Sequence, residues 1–255
     1  MYSYLLKRFN MKIGDVYDTT SCGKLTIVQL GSCSRVVVKF LNTGSLRTVD
    51  PRNVRKGTVK DMYAPTVYGV GIIGEKYPIK LGGKVTKEYG KWKNMLARCS
   101  NLHHKNFKTY QNCEVSENFK SYEYFYEWCN KQVGFSLDNF ELDKDLLYKG
   151  NRIYSENTCV FLPKEVNQVL TKSDNIRGTN YIGVSYNKSA NKFRAYLYKN
   201  DKEQHLGYFN TEIEAFNAYK QAKESYLKEL ANKWIYQIDE RAYNALMNYQ
   251  VEITD

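Results

Sequence analysis

The densest run of chemistry-bearing side chains is Lys192-Phe-Arg-Ala-Tyr-Leu-Tyr198. In a strand, successive side chains alternate between faces. Phe193, Ala195 and Leu197 then share one side, and Lys192, Arg194, Tyr196 and Tyr198 the other. The flanking runs Tyr181–Tyr186 and Glu203–Phe209 divide likewise, with Ile182, Val184 and Leu206 inward and Gly183, Ser185 and His205 outward. Lys188, in the polar turn between the first two runs, adds a further cation. A sheet presenting cationic, hydroxyl and aromatic groups can enter a major groove and contact base edges. The same face also suits plain solvation, and patterning alone does not separate the two.

Other groupings carry weaker chemistry. Asp143 and Asp145, two apart in Leu142-Asp-Lys-Asp145, could share a metal or form an ordinary exposed pair. Cysteines at 22, 33, 99, 113, 129 and 159 form no CxxC pair, so zinc-finger spacing is missing. Reduced, buried thiols are the expectation, with a zinc cluster drawn from Cys99, Cys113, Cys129 and Cys159 the alternative. Gly69-Val-Gly-Ile-Ile-Gly74 satisfies a GxGxxG fingerprint, but no helix follows it and no acidic residue stands at the right distance. It reads as a linker or turn cluster.

The elements that must position these residues follow from periodicity. Leu25–Leu30 and Val36–Leu41 are β-branched runs punctuated by Gly23, Gly31 and Gly44, which predicts a small SH3-like barrel over residues 11–77. Tyr89, Trp92, Leu96 and Cys99 predict one helix; Phe119, Tyr122, Phe125, Tyr126, Cys129 and Val133 predict another. Phe140–Asp145 and Cys159–Leu162 are strand candidates, and Pro163 opens a helix at 164–170. Thr211 with Glu214 makes a capping box for a helix with Ile213, Phe216, Tyr219 and Tyr226 on its apolar face. The fold class is therefore α+β multidomain: a basic β-rich domain at 1–77, a middle domain at 78–172, a three-stranded sheet plus helix at 178–232, and a helical tail at 233–255.

Composition sets the partner class. The 255 residues carry 38 Lys and Arg against 27 Asp and Glu, a net charge of +11. Such a balance favours polyanions. The 23 tyrosines supply enough apolar body for folded cores, which excludes general disorder. No run approaches the roughly 18–20 apolar residues of a membrane span, and the first residues are too interrupted for a signal peptide. A cytoplasmic protein without a small-molecule substrate or membrane partner is expected.

Two groups of residues carry a family resemblance. Tyr181-x-Gly-Val184, Lys192-Phe-x-Ala195, Leu206-Gly-x-Phe209 and Thr211-x-x-Glu-Ala215 with Ala218-Tyr219 resemble the AP2 DNA-binding domain of bacteriophage HNH–AP2 homing endonucleases. Ile182 and Ser185 depart from the plant form, where arginines are frequent, so base preference does not carry over. The resemblance implies that the sheet lies on double-stranded DNA, with Lys192, Arg194 and Tyr196 as leading contacts and Ser185, Lys188, Tyr198 and His205 beside them. Trp92-x-x-Met95, Arg98-Cys99, Leu142-Asp-Lys-Asp145, Gly150-Asn151, Tyr154-Ser155, Asn157, Cys159 and Asn167 resemble the same family's ββα-metal (HNH) nuclease. That implies Mg²⁺ or another divalent ion held by Asp143 and Asn167, with Asn157 orienting the general base.

The general-base position itself holds Lys144. An ordinary lysine stays protonated near pH 7 and accepts no proton. His103 and His104 lie in a loop that could approach the site. Two functions follow: a phage-type DNA-binding protein that cleaves with a divalent metal, acting in the host cytoplasm, or a non-catalytic, sequence-specific regulator retaining a degenerate nuclease core.

Overall fold

The computed structural model describes residues 10–31, 35–100, 112–171, 179–199 and 202–255. The architecture is mixed α+β, built from several small sheets and short helices. The chain divides into two compact units, Met1–Glu127 and Trp128–Asp255. His103, His104 and Cys33 lie outside the described residues.

The first unit opens with four antiparallel strands, β1 (Val16–Asp18), β2 (Lys24–Leu30), β3 (Val36–Phe40) and β4 (Leu46–Val49), in the order β1-β2-β3-β4. Alternation places Leu25, Ile27, Val36, Val38 and Phe40 in one core with Val54 and Val59. The expected SH3-like closure does not occur: among the described residues β1 and β4 remain edges of an open meander. The chain leaves β4 directly into α1 (Pro51–Arg55), which supplies Val54 to the core. Asp50 starts that helix by accepting from the Arg52 amide, and Pro51 suits its first turn. Buried Asp61 accepts from Thr43 Oγ1 at 2.5 Å, Ser45 Oγ at 2.8 Å and the Tyr63 amide at 2.9 Å. It thereby fastens the β3–β4 turn to the segment that follows.

Next come β5 (Lys80–Leu81), β6 (Lys84–Val85), α2 (Lys87–Cys99), β7 (Glu114–Val115), α3 (Glu117–Lys120) and α4 (Tyr122–Cys129). The predicted second aromatic helix is broken at Ser121, which caps α3 before α4 begins. Val133 falls beyond α4 and is exposed. The glycine-rich stretch forms turns but is no linker. The Ile72 amide donates to Lys120 O at 2.9 Å, Ile72 O accepts from Tyr122 at 2.8 Å, and Tyr77 stacks on Tyr126 at 3.9 Å. Gly71 lies against Trp92 and Leu96, where any side chain would collide.

The second unit contains β8 (Phe140–Asp143), β9 (Ile153–Tyr154), β10 (Val160–Pro163) and α5 (Lys164–Leu170), then β11 (Val184–Asn187), β12 (Lys192–Lys199), β13 (Lys202–Phe209), α6 (Glu212–Trp234) and α7 (Glu240–Met247). β8 and β10 pair antiparallel, Asp143 opposite Val160 and Phe140 opposite Pro163. β11, β12 and β13 form an antiparallel sheet in sequence order. The capping box is formed: Thr211 Oγ1 accepts from the Glu214 amide at 3.3 Å, and Glu214 accepts from the Thr211 amide at 3.1 Å. α6 buries Ala215, Phe216, Tyr219, Tyr226, Leu227 and Leu230; Ile213, expected on that face, is exposed.

The β8–β10–α5 element is joined to the end of α6. Glu165 accepts from Lys233 Nζ at 2.6 Å and from the Trp234 indole, and Phe140 meets Trp234 edge-on at 5.6 Å. The C-terminal segment returns to α6: Lys220 donates to Val251 O at 2.6 Å and Glu224 accepts from the Val251 amide at 2.8 Å.

Candidate nucleic-acid interface

The three-stranded sheet has one covered face and one open face. Ala195 and Val184 are buried opposite one another, and Leu197 and Ile182 are also buried. The helix α6 packs on β12 and β13 over this side. The close approach explains Gly183: its φ is +73°, and a Cβ there would enter the Tyr219 ring. The open face follows from cross-strand pairing, because directly opposed residues share a side. Its rows are Ser185–Arg194–Tyr208, Asn187–Lys192, Tyr196–His205 and Tyr198–Glu203. Lys192, Tyr198, His205 and Tyr208 are exposed, Ser185, Arg194 and Tyr196 are half-buried, and Lys188 is exposed in the β11–β12 turn.

Two residues join the expected ones on this face, and one of them, Tyr208, escapes strict alternation. The pairing of β12 with β13 shifts between Ala195 and Tyr196, so Leu206 is an extra residue between His205 and Gly207. Gly207 adopts φ +139° there, a conformation that suits glycine. Beyond the bulge the phase reverses. Tyr208 comes outward opposite Arg194, and Phe209 faces Phe193 on the covered side; Leu206, expected inward, is half-buried at the bulge itself. The second addition is Glu203, which pairs with Tyr198. Its Oε1 lies 3.3 Å from Arg194 Nη1 while its Oε2 lies 3.4 Å from Nη2.

Aromatic groups brace the cations. The Arg194 guanidinium sits 4.8 Å from the Tyr196 ring centroid, and Tyr196 meets Tyr198 edge-on at 6.2 Å. The His205 and Tyr208 rings lie 4.8 Å apart. Asn187 Nδ2 donates to Tyr208 Oη at 3.2 Å. The face thus offers guanidinium, ammonium, hydroxyl and ring surfaces on a rigid pleat, the mixture that contacts phosphates and base edges.

The nuclease-like residues stand in a different setting. On β8, Phe140 and Leu142 are buried, whereas Glu141 and Asp143 share the other side. Lys144 continues the inward phase and is 6% exposed. Its ammonium donates to Asp145 Oδ1 at 2.6 Å and to Asn151 O at 2.8 Å, and lies 5.6 Å from the Tyr154 ring. Asn151 returns a bond from Nδ2 to Lys144 O at 2.8 Å. Asp143 Oδ1 accepts the amides of Leu146 at 2.8 Å and Asp145 at 3.0 Å. Burial pushes the Asp143 carboxyl above its ordinary value, against the pull of those amides.

Of the other two expected residues, one is bonded through its side chain and the other stands exposed. Asn167 Nδ2 donates to Glu141 Oε2 at 2.9 Å, joining α5 to β8. Asn157 is exposed, and its carbonyl accepts from Arg241 at 3.5 Å. Asp143 Oδ1 thus caps a backbone turn and Asn167 Nδ2 holds Glu141; a divalent ion would be met by the remaining Asp143 and Asn167 side-chain oxygens.

Among the described residues, no three of His, Cys, Asp and Glu gather as metal ligands would. Cys22, Cys113, Cys129 and Cys159 are buried, and burial drives the Cys159 thiol up to about 12. No described helix is long and apolar enough to cross a membrane.

Neither a scan against protein-family models nor searches of curated proteins and of solved structures returns a match for this chain.

Proposed function

We propose that this chain binds double-stranded DNA by laying the open face of β11–β12–β13 in the major groove, as its resemblance to bacteriophage HNH–AP2 proteins implies. The observation that carries the reading is the two-sided sheet: one face sealed by α6, the other bearing Lys192, Arg194, Tyr196, Tyr198, His205 and Tyr208. The net charge of +11 supports a polyanionic partner. Lys192, Lys188 and Ser185 reach phosphates, and Arg194 with its aromatic neighbours addresses the bases. The host cytoplasm is the compartment this reading expects.

Cleavage is the second reading, favoured by element order: two antiparallel strands, β8 and β10, run directly into α5. The Lys144 and Asp143 environments give it no hydrolytic step, so the β8–β10–α5 element is assigned a scaffold role. The test is one experiment with two readouts. Purified protein is titrated into labelled duplex at two salt concentrations, then incubated with plasmid and Mg²⁺ or Mn²⁺, with EDTA as control. Salt-sensitive binding without nicking is expected. Absence of duplex binding defeats the first reading; EDTA-sensitive nicking that disappears in Asp143→Ala defeats the scaffold assignment.

A further inference from the structure

Glu203 sets a carboxylate on a face that is otherwise cationic and aromatic, and stability does not account for it. The Arg194–Glu203 pair has side chains 31% and 35% exposed. Pairs so placed contribute little to folding. On a phosphate-facing surface a carboxylate also lowers affinity for every duplex unless a donor meets it.

The geometry suggests the donor. Two guanidinium nitrogens face two carboxylate oxygens at 3.3 and 3.4 Å, Tyr196 lies under the guanidinium, and the Tyr198 hydroxyl is 3.5 Å from Oε2. A donor and an acceptor are thereby held side by side. In a G·C pair, guanine O6 and cytosine N4 stand one hydrogen-bond length apart, about 2.9 Å, and both edges open into the major groove.

Resting on the duplex-binding reading above, we infer that Arg194 and Glu203 read a single G·C base pair as one unit. Arg194 donates to guanine O6 and N7, Glu203 accepts from cytosine N4, and Glu203 is the specificity-determining member. An A·T pair offers the arginine one acceptor fewer at the purine edge, and a reversed pair puts the amino group before the guanidinium. Either mismatch sets a base donor before the guanidinium and a base acceptor before the carboxylate.

A randomised-duplex selection with wild type, Glu203→Ala and Glu203→Gln tests this, followed by titration of the selected duplex and its base-swapped forms at one salt concentration. Wild type should prefer G·C at one position by about tenfold or more. In Glu203→Ala that preference should fall below about threefold, the other selected positions should persist, and affinity for random duplex should hold or rise. Glu203→Gln, which keeps an acceptor but no charge, should retain part of the preference. Unaltered thermal melting confirms that the exposed substitution leaves the fold intact. A G·C preference that survives in Glu203→Ala, or a wild-type motif with no constrained G·C position, overturns the inference while leaving DNA binding in place. Failure of wild type to bind any duplex removes the duplex reading itself, and is seen before any variant is made.

Discussion

The open face of β11–β12–β13 and the β8–β10–α5 element both present charged and polar groups in the second unit, but they dispose of them in opposite ways. On the sheet, Lys192 and His205 are exposed and Arg194 is held by a long, solvent-reached contact to Glu203. Around β8, Lys144 is sunk to 6% exposure with two short bonds, Asp143 holds two amides, and Asn167 is bonded to Glu141. Surface ion pairs break at little cost, whereas removing one partner from a buried set leaves the rest unsatisfied. Side chains that must meet a ligand are released most cheaply from exposed contacts, and the Lys144 ammonium is not so placed.

The largest effect expected from this contrast is on binding. Lys192→Ala with Arg194→Ala should weaken duplex affinity by about 5- to 150-fold, the equivalent of roughly 1–3 kcal/mol for a base contact. It should also lower the log–log salt slope by up to ~0.9 for each phosphate no longer neutralised. Thermal melting should barely change, since both side chains leave the covered face. Fluorescence anisotropy at several salt concentrations measures both quantities; wild-type affinity in a folded double variant would place the interface elsewhere.

The mirror-image experiment acts on stability. Lys144→Met keeps the apolar stem and removes the ammonium, leaving Asn151 O without its donor. A loss of about 1 kcal/mol is expected from a half-buried acceptor left without its donor, with duplex affinity unchanged. Denaturant titration reads the first and anisotropy the second. A fall in affinity matching the fall in stability would erase the distinction between the two regions.

Asp143→Asn sharpens the same point more gently. The folded carboxyl titrates above its unfolded value because it is buried. Its favourable contribution is therefore complete below the unfolded value and is lost as pH rises through the folded one. An asparagine oxygen can still accept the Asp145 and Leu146 amides without carrying charge. The variant should melt above wild type near pH 7 and converge with it near about pH 3, below the ordinary carboxylate range. A melting point below wild type at neutral pH would show that the carboxylate serves in its ionised form.

How far the sequence reveals these two regions depends on how each is encoded. Alternation along Lys192–Tyr198 is local, and the structure keeps it: Ala195 and Leu197 are buried, Arg194 and Tyr196 lie on the open side. It breaks at Leu206, because a bulge is a property of the pairing of two strands, and the phase reversal that turns Tyr208 outward cannot be read from one of them. Period two from His205 already sets Glu203 outward, but its contact with Arg194 becomes legible only once the pairing is known, since Arg194 lies on the neighbouring strand. Lys144 is legible in part: Phe140, Leu142 and Lys144 fall two apart, which predicts an inward lysine. What period two cannot supply is the Asn151 carbonyl that receives it, seven residues on. The open N-terminal meander differs from the expected barrel because closure depends on which strand follows β4, and α1 occupies that place.

The smallest effect concerns the basic residues of the first unit, whose number invites a DNA-binding role as readily as the sheet does. Several are already occupied within the described residues. Arg52 forms a tight pair with Asp50 at 2.6 Å, which draws the Asp50 carboxyl down to about 2, and Arg47 donates to Lys60 O at 2.6 Å with Glu75 3.5 Å away. Cations held this way solvate the meander and add little to a phosphate footprint. Arg55→Ser with Lys60→Ser should therefore leave the salt slope nearly unchanged, against a fall of ~0.9 for the one phosphate that Lys192 neutralises in the sheet variant. Equal slopes for the two double variants would mean that the first unit carries as much of the duplex as the sheet. Substitution is the appropriate test, because truncation at Tyr77 would strip Gly71 from Trp92 and Tyr77 from Tyr126, and so damage the core around α2 and α4.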